Sequence, residues 1–293
     1  MIDTRLIQSQ ISLANQTSFR VGGNAQWYAA PKNWEQLEAC FDWYQGKDIP
    51  LTLLGAGSNL LISDRGIPGL TISTRYFRHY QIEADGLIVA NAGEPIAKLA
   101  WKAAKRGLKG LEWAVGIPGT VGGAVVMNAG AHQQSLSDIL VSATVLTPDG
   151  TIQKLTPEEL EFSYRTSNLQ GSNKFVMEAT LKLQPGFTKQ EIMELASNNW
   201  TQRKTSQPYH LPSCGSVFRN PYPKAAGWLI EQLGLKGYKI GDAQIAQRHA
   251  NFILNCGTAN ASDIFQLIRY IQEKVEYHWS VSLEPEVKLI GEF

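Results

Sequence analysis

The sequence predicts an α+β protein of more than one lobe, and three observations point there. Apolar runs of strand length alternate with runs at helical spacing. Two glycine-rich runs, LLGAGSNLLISD (residues 53–64) and GIPGTVGGAVVMNAGA (residues 116–131), interrupt them. A Pro/Ser/Gly-rich stretch over 207–215 then divides the chain late. With 293 residues, 43% hydrophobic and 18% charged, the chain is long and apolar enough for two or three domains with cores.

In chain order, Trp34, Leu37, Cys40 and Phe41 recur at helical spacing and predict a helix over 33–44. The apolar strand Leu51–Leu54 follows, and the first glycine-rich run leaves directly from it. Strands are expected at 81–82 and 87–90, then a helix over 95–105 that Gly107 ends. Leu140–Leu146 and residues 151–155 flank Pro148-Asp149-Gly150. There Pro presets φ and Gly supplies a positive φ, so a hairpin is expected. A strand over 175–183 and an amphipathic helix over 188–203 lead to the Pro/Ser/Gly-rich stretch, where a domain boundary is expected. Beyond it, helices over 225–233 and 262–278 enclose a strand over 252–254, and Asn260 or Ser262 caps the second of them. The chain closes with a strand-like alternation over 286–290.

Charge and composition exclude several classes of function. A net charge of +1 leaves no basic field for nucleic acid, and no dense Lys/Arg run supplies a local one. No apolar run reaches the roughly 18 residues of a membrane helix, and MIDTR at the start lacks a signal core, so a cytoplasmic protein without membrane insertion is expected. Cys40, Cys214 and Cys256 form no C-x-x-C pair, which argues against a disulfide framework or a metal site and for reduced thiols.

The glycine-rich runs carry the first chemical signal. Residues without side chains let the backbone approach a ligand and offer bare N–H groups, the way a protein holds a pyrophosphate. The first run has no Lys-Ser/Thr after its glycines, and neither run gives G-x-G-x-x-G between strand and helix, so neither a P-loop nor an ordinary Rossmann dehydrogenase is indicated. Any one of these glycines is more simply a tight turn or a close packing site. Two such runs together suggest a long dinucleotide gripped from two sides.

Further motifs then fall in series: TSFRVGGNA (residues 17–25), FSYRTSN (162–168), SCGSVFRNP (213–221), AGWLIEQLGLKG (226–237), HANFILN (249–255) and LEPEVKLIGEF (283–293). With the two glycine-rich runs, in this order and spacing, they closely resemble the UDP-N-acetylenolpyruvoylglucosamine reductase family over nearly the whole chain. The resemblance implies the two-lobed FAD-binding fold of vanillyl-alcohol-oxidase-like flavoproteins with a C-terminal α+β substrate-binding domain. It places one FAD-binding lobe at 1–72, with residues 283–293 returning near the active site, the second lobe at 73–200, and the substrate domain at 201–282. It further implies FAD held by Arg20, Gly22 and Gly23, by Gly55, Ala56, Gly57, Ser58 and Asn59, and by Gly116, Pro118, Gly119, Thr120, Gly122 and Gly123. Neither loop core contains His or Cys, so the FAD is expected to be non-covalent, with His132 nearby.

The family chemistry implied is NADPH-dependent, FAD-mediated reduction of UDP-N-acetylglucosamine enolpyruvate to UDP-N-acetylmuramate, a step of peptidoglycan precursor synthesis that ties the chain to cell-wall formation, cell shape and division. Charge gathers on the substrate carboxylate as an enolate, which calls for a cation and an acid beside it. By resemblance, Arg165 pairs with the carboxylate, Glu286 acts with it, and Ser216 gives the proton to carbon. Glu284 is a competing carboxylate two residues from Glu286, on the same strand face, and only the motif selects between them. Tyr164, Arg203, Gln207 and Asn220 are the expected substrate contacts, whereas His249 reads as a hydrogen-bonded structural histidine and Trp113, just before the second loop, as a core or rim residue by default, with a place beside the flavin as the less favoured alternative. The short stretch from Arg165 to the next strand marks the shorter subtype without an inserted tyrosine loop, and a monomer is expected. A flavin oxidase of the same fold and a nucleotide-binding module without catalysis are the alternatives.

Overall fold

The computed structural model describes residues 6–293, which divide into two compact units. The first comprises the described part of residues 1–8, with residues 28–56 and 70–203; the second comprises 9–27, 57–69 and 204–293. The boundary crosses the first glycine-rich run between Ala56 and Gly57.

In the first unit the main sheet is antiparallel and five-stranded, in the spatial order Ile152–Leu155, Leu140–Leu146, Phe175–Lys182, Leu87–Asn91, Tyr80–Ile82. In Leu87–Asn91, Ile88 and Ala90 are buried and their neighbours half-buried, the period-two pattern of a strand with one face on a core. The expected hairpin forms: Thr147 and Thr151 pair across Pro148-Asp149-Gly150, and Gly150 takes φ +86°. Helix α1 (Trp34–Tyr44) is capped by Asn33 and buries Leu37, Cys40 and Phe41. Trp34 is 38% exposed, because it occupies the first helical position rather than the buried stripe. Helix α2 (Ile96–Ala104) buries Ile96, Leu99, Ala100, Ala103 and Ala104, and Gly107 follows it at φ +69°. Helix α3 (Val121–Val126) packs on the Phe175–Lys182 and Leu87–Asn91 strands. The parallel pair Leu51–Leu54 with Leu70–Ser73 delivers the chain to Gly55.

Helix α4 (Lys189–Ser206) runs past the expected end at 203 and buries only Ile192 and Ala196. Met193 and Trp200 pack against the same core half-buried, and Leu195 is exposed, so few residues of the expected amphipathic stripe are fully buried.

In the second unit, Lys239–Ile240, Ala243–Ile245 and Ile253–Asn255 form a small antiparallel sheet covered by α6 (Ala261–Trp279), on which α5 (Ala226–Gln232) packs. Asn260 caps α6 in a reciprocal box with Asp263, which settles the choice between Asn260 and Ser262. The closing strand Lys288–Ile290 pairs in parallel with Leu60–Ile62. Regular pairing therefore begins two residues later than the alternation over 286–290 suggested, because the Glu286 N–H is engaged by Val217 O at 2.7 Å. The core joins Phe19, Leu61 and Phe218 to Leu229, Ile264, Leu267 and Ile271.

Candidate active site

The glycine-rich runs meet inside the first unit. A Cβ on Gly55 would lie 2.9 Å from Thr120 Oγ1, so the first run abuts the second with no room for a methyl group. Thr120 caps α3 by accepting from Gly123 N (3.3 Å), Gly119 sits at φ +139°, and its carbonyl accepts from Ile96 N at 3.2 Å. Gly122 rests on Ala92, where a Cβ would come within 2.8 Å. Gly116 lies under α4: its Cβ would be 2.5 Å from Arg203 Cδ and 3.1 Å from Trp200 Cε3. Arg203, expected among the substrate contacts, thus has its stem on the second run. Trp113 is buried, its indole N–H donating to Gly110 O at 2.9 Å, and is a core residue.

Within the second unit, Gly57 has φ +66°, and a Cβ there would stand 2.1 Å from Gln16 O, so only glycine fits. Ser18 N donates to Gly57 O at 2.9 Å. Gly22 and Gly23 have a packing reason of their own, against Ile62 and the Asp64 carbonyl. Arg20 is exposed at φ +59°. Two close-packed, side-chain-free turns of this kind fit a nucleotide cofactor that must lie against bare backbone.

Arg165 is held in a two-residue turn in which Ser163 and Thr166 exchange backbone hydrogen bonds of 3.1 Å. The turn is stapled to the far end of α3. Ser167 Oγ donates to Val126 O (2.7 Å), Gln170 Nε2 donates to Val126 O (3.1 Å) and to Arg165 O (2.9 Å), and buried Asn128 donates to Ser163 O (3.0 Å). The guanidinium donates to Gly130 O at 2.5 Å and lies 5.0 Å from the Tyr164 ring centre. Asn128, His132, Gln133, Glu161 and Arg165 all have positive φ, a concentration of backbone strain of the kind that gathers at functional sites.

Ser216 and Glu286 are brought together in the second unit. The segment after Ser216 runs antiparallel to residues 284–287: Phe218 bridges Pro285, Arg219 N donates to Glu284 O (2.9 Å), and Glu286 N donates to Val217 O (2.7 Å). Buried Asn251 holds the other side, with its carbonyl accepting from Val217 N, and its side chain accepting from Phe218 N (2.9 Å) and donating to Phe218 O (2.8 Å). Glu284, the competing carboxylate, pairs with Arg219 at 3.2 Å and is the more exposed of the two. Lys288 lies within electrostatic reach: burial and then Arg219 push its ammonium below the ordinary lysine range, while Glu284 and Glu286 oppose the shift. Cys214 is buried, and desolvation followed by the Glu286 charge pushes its thiol up. Asn220 is exposed and accepts from Ala226 N at 3.1 Å, at the start of α5, and Gln207 is half-buried just beyond α4. His249 Nδ1 accepts from Asn251 N at 3.3 Å, and desolvation lowers its pKa.

Asn128, Asn251 and Asp64 were not legible as site supports in the sequence, although Asn251 lies in HANFILN and Asp64 closes the first glycine-rich run. Side-chain-to-backbone bonds between distant segments leave no periodic signal.

Each unit by itself, with its glycine turns of bare backbone, is of a kind that suits a cofactor-dependent α+β enzyme. Residues 25–156 match the FAD binding domain model, which makes that enzyme a flavoprotein oxidoreductase, and residues 207–290 match the model for the UDP-N-acetylenolpyruvoylglucosamine reductase C-terminal domain. The chain is 60% identical over 291 residues to UDP-N-acetylenolpyruvoylglucosamine reductase of Synechocystis sp., covering 98% of this chain and 92% of that one. Against the Trichormus variabilis enzyme it is 59% identical over 288 residues, covering 98% and 87%. The crystal structure of the Thermus caldophilus reductase superposes with a TM-score of 0.83 at 36% identity, covering 97% and 99%. The chain belongs to the UDP-N-acetylenolpyruvoylglucosamine reductase family. It is an FAD-dependent oxidoreductase of peptidoglycan precursor synthesis, with NADPH as reductant, and neither alternative reading is favoured.

Proposed function

We propose that this chain reduces UDP-N-acetylglucosamine enolpyruvate to UDP-N-acetylmuramate with Arg165, Ser216 and Glu286 as its catalytic residues. The observation that carries the reading is the 2.7 Å hydrogen bond from Glu286 N to Val217 O, which sets the carboxylate-bearing residue against the neighbour of Ser216. Residues 55–59 and 116–123, with Arg20, Gly22 and Gly23 beside them, would hold FAD, which would supply hydride chemistry at the terminal enolpyruvyl carbon with NADPH as the source of the electrons. This chain's residues manage the charge and proton that follow. As the new C–H bond forms, the electron pair of the C=C bond moves toward the carboxylate as an enolate. The Arg165 guanidinium pairs with that carboxylate through its fixed fork of donors. Glu286 acts with Arg165 on the developing charge, sharing a hydrogen bond with it when the carboxyl carries a proton. Ser216 Oγ gives its proton to the α-carbon, completing the lactyl ether, and recovers a proton from solvent. A serine hydroxyl is a weak acid, so this transfer requires the strongly basic enolate as its acceptor.

Tyr164, Arg203, Gln207 and Asn220 are assigned to substrate contact, residues 201–282 to the substrate domain, and 1–72 and 73–200 to the FAD lobes. The match over 207–290 supports the first boundary. The reading extends to a non-covalent cofactor and a cytoplasmic monomer that takes no nucleic acid and serves cell-wall formation, cell shape and division. The low net charge argues against a nucleic-acid partner, and among the described residues no helix is long and apolar enough to cross a membrane.

Ser216→Ala tests the proposal under anaerobic conditions. Bleaching of the flavin absorbance by NADPH is expected to persist, and recovery of colour on adding the enolpyruvyl substrate is expected to slow severely. Near-normal recovery would remove Ser216 from its role.

A further inference from the structure

The geometry points to Asn59 as a positioning residue for Glu286: a side chain of the first glycine-rich run holds the backbone of the candidate catalytic carboxylate. This rests on the role given to Glu286 above. Asn59 Nδ2 donates to Glu286 O at 3.1 Å, and Asn59 O accepts from Lys288 N at 3.0 Å. The Glu286 N–H is itself committed to Val217 O at 2.7 Å. Both backbone polar groups of Glu286 are therefore tied, one to the serine-bearing segment and the other to the glycine-rich run.

Ordinary strand pairing does not account for the bond. The parallel ladder of Leu60–Ile62 with Lys288–Ile290 stops at Leu60 and Lys288. The Asn59 side-chain amide reaches past Val287, which is buried, to the carbonyl of Glu286. An Asn side chain is short and carries one donor end and one acceptor end, so it can imitate one more rung of the ladder where the backbone has none left. The bond is neutral and lies on the main chain. Asn59 consequently acts through placement of Glu286 and leaves its charge alone.

The consequence concerns timing within the reaction. Flavin reduction by NADPH makes no demand on Glu286, whereas transfer to the enolpyruvyl group does, so a displaced Glu286 should affect one half-reaction only. Displacement by about 1 Å suffices for a large loss of rate.

The test uses the FAD-loaded full chain as Asn59→Ala, as Glu286→Gln and as the double variant. Measured are FAD affinity, the visible flavin spectrum and each half-reaction by anaerobic stopped flow. In Asn59→Ala, measured at saturating FAD, reoxidation by substrate is expected to slow about tenfold or more relative to NADPH-driven reduction of the same protein. In the double variant no further slowing beyond Glu286→Gln is expected. Weakened FAD binding with both half-reactions slowed alike would make Asn59 a cofactor residue only and overturn the inference, as would additive effects. Slow reoxidation in Glu286→Gln beside normal reoxidation in Asn59→Ala overturns this inference alone. Normal reoxidation in Glu286→Gln overturns the role of Glu286 and the inference with it. Should Asn59→Ala fail to fold, Asn59→Ser, too short to reach the carbonyl, carries the same comparison.

Discussion

Arg165 holds a left-handed backbone conformation at φ +57°, which costs an ordinary residue on the order of 1–3 kcal/mol. Asn128, Ser167 and Gln170 maintain it from three sides. The strain turns the guanidinium while its donors keep their fork, so charge alone should not substitute. Arg165→Lys is expected to lower kcat/KM about 10–100-fold, the worth of one lost charged hydrogen bond, with NADPH-driven flavin reduction unchanged. Retained kcat/KM would show that charge suffices. His249 behaves differently. Desolvation lowers its folded-state pKa below the ordinary 6.5, so the unfolded chain takes up the proton first as pH falls. Its contribution to stability is complete above the unfolded pKa and is lost as pH drops through and below it. The thermal midpoint should therefore fall between about pH 7.5 and pH 5.5, and less so in His249→Gln; an equal fall in both proteins would acquit His249.

Helix α6 receives two caps, one legible and one not. Asn260 and Asp263 form a reciprocal box that follows from local sequence. Asp64, far away in the chain, accepts from Ala261 N (2.8 Å) and Ser262 N (2.9 Å) and puts a negative charge at the helix start. Asp64→Ala should cost about 1–2 kcal/mol, read as a lower urea midpoint at unchanged slope, and Asp64→Asn less, because it keeps an acceptor. No change in midpoint would reduce Asp64 to a surface charge. The contrast explains what the sequence disclosed. The hairpin at Pro148-Asp149-Gly150, the termination after α2 and the strand Leu51–Leu54 depend on neighbours in sequence, and each formed where expected. The start of the last strand did not, because Val217 takes the Glu286 N–H from a distance no local pattern records. Trp34 similarly matched a helical stripe yet lies at its exposed end.

On the scale of the whole molecule, neither compact unit is a continuous stretch of chain, and the second gathers residues 9–27, 57–69 and 204–293. Composition and periodicity gave the α+β class, and the motifs in series gave the family. Interleaving of segments had no sequence signal, since each segment looks locally like any strand, turn or helix. One feature of the second unit bears on how the protein meets reactive chemicals. Cys214 stands two residues from Ser216, yet it is sealed in the core, and burial together with the Glu286 charge keeps it a neutral thiol. Cys40 is likewise buried, its thiol pushed up to about 12, while Cys256 is half-buried. Alkylation depends on the thiolate. Iodoacetamide should accordingly modify the folded protein at Cys256 alone, as read by intact mass and peptide mapping, and an adduct on Cys214 would contradict the sealed core. A cell under peroxide would keep this catalyst intact at its most delicate point, and a covalent drug aimed at the neighbouring sulfur would find no nucleophile to capture.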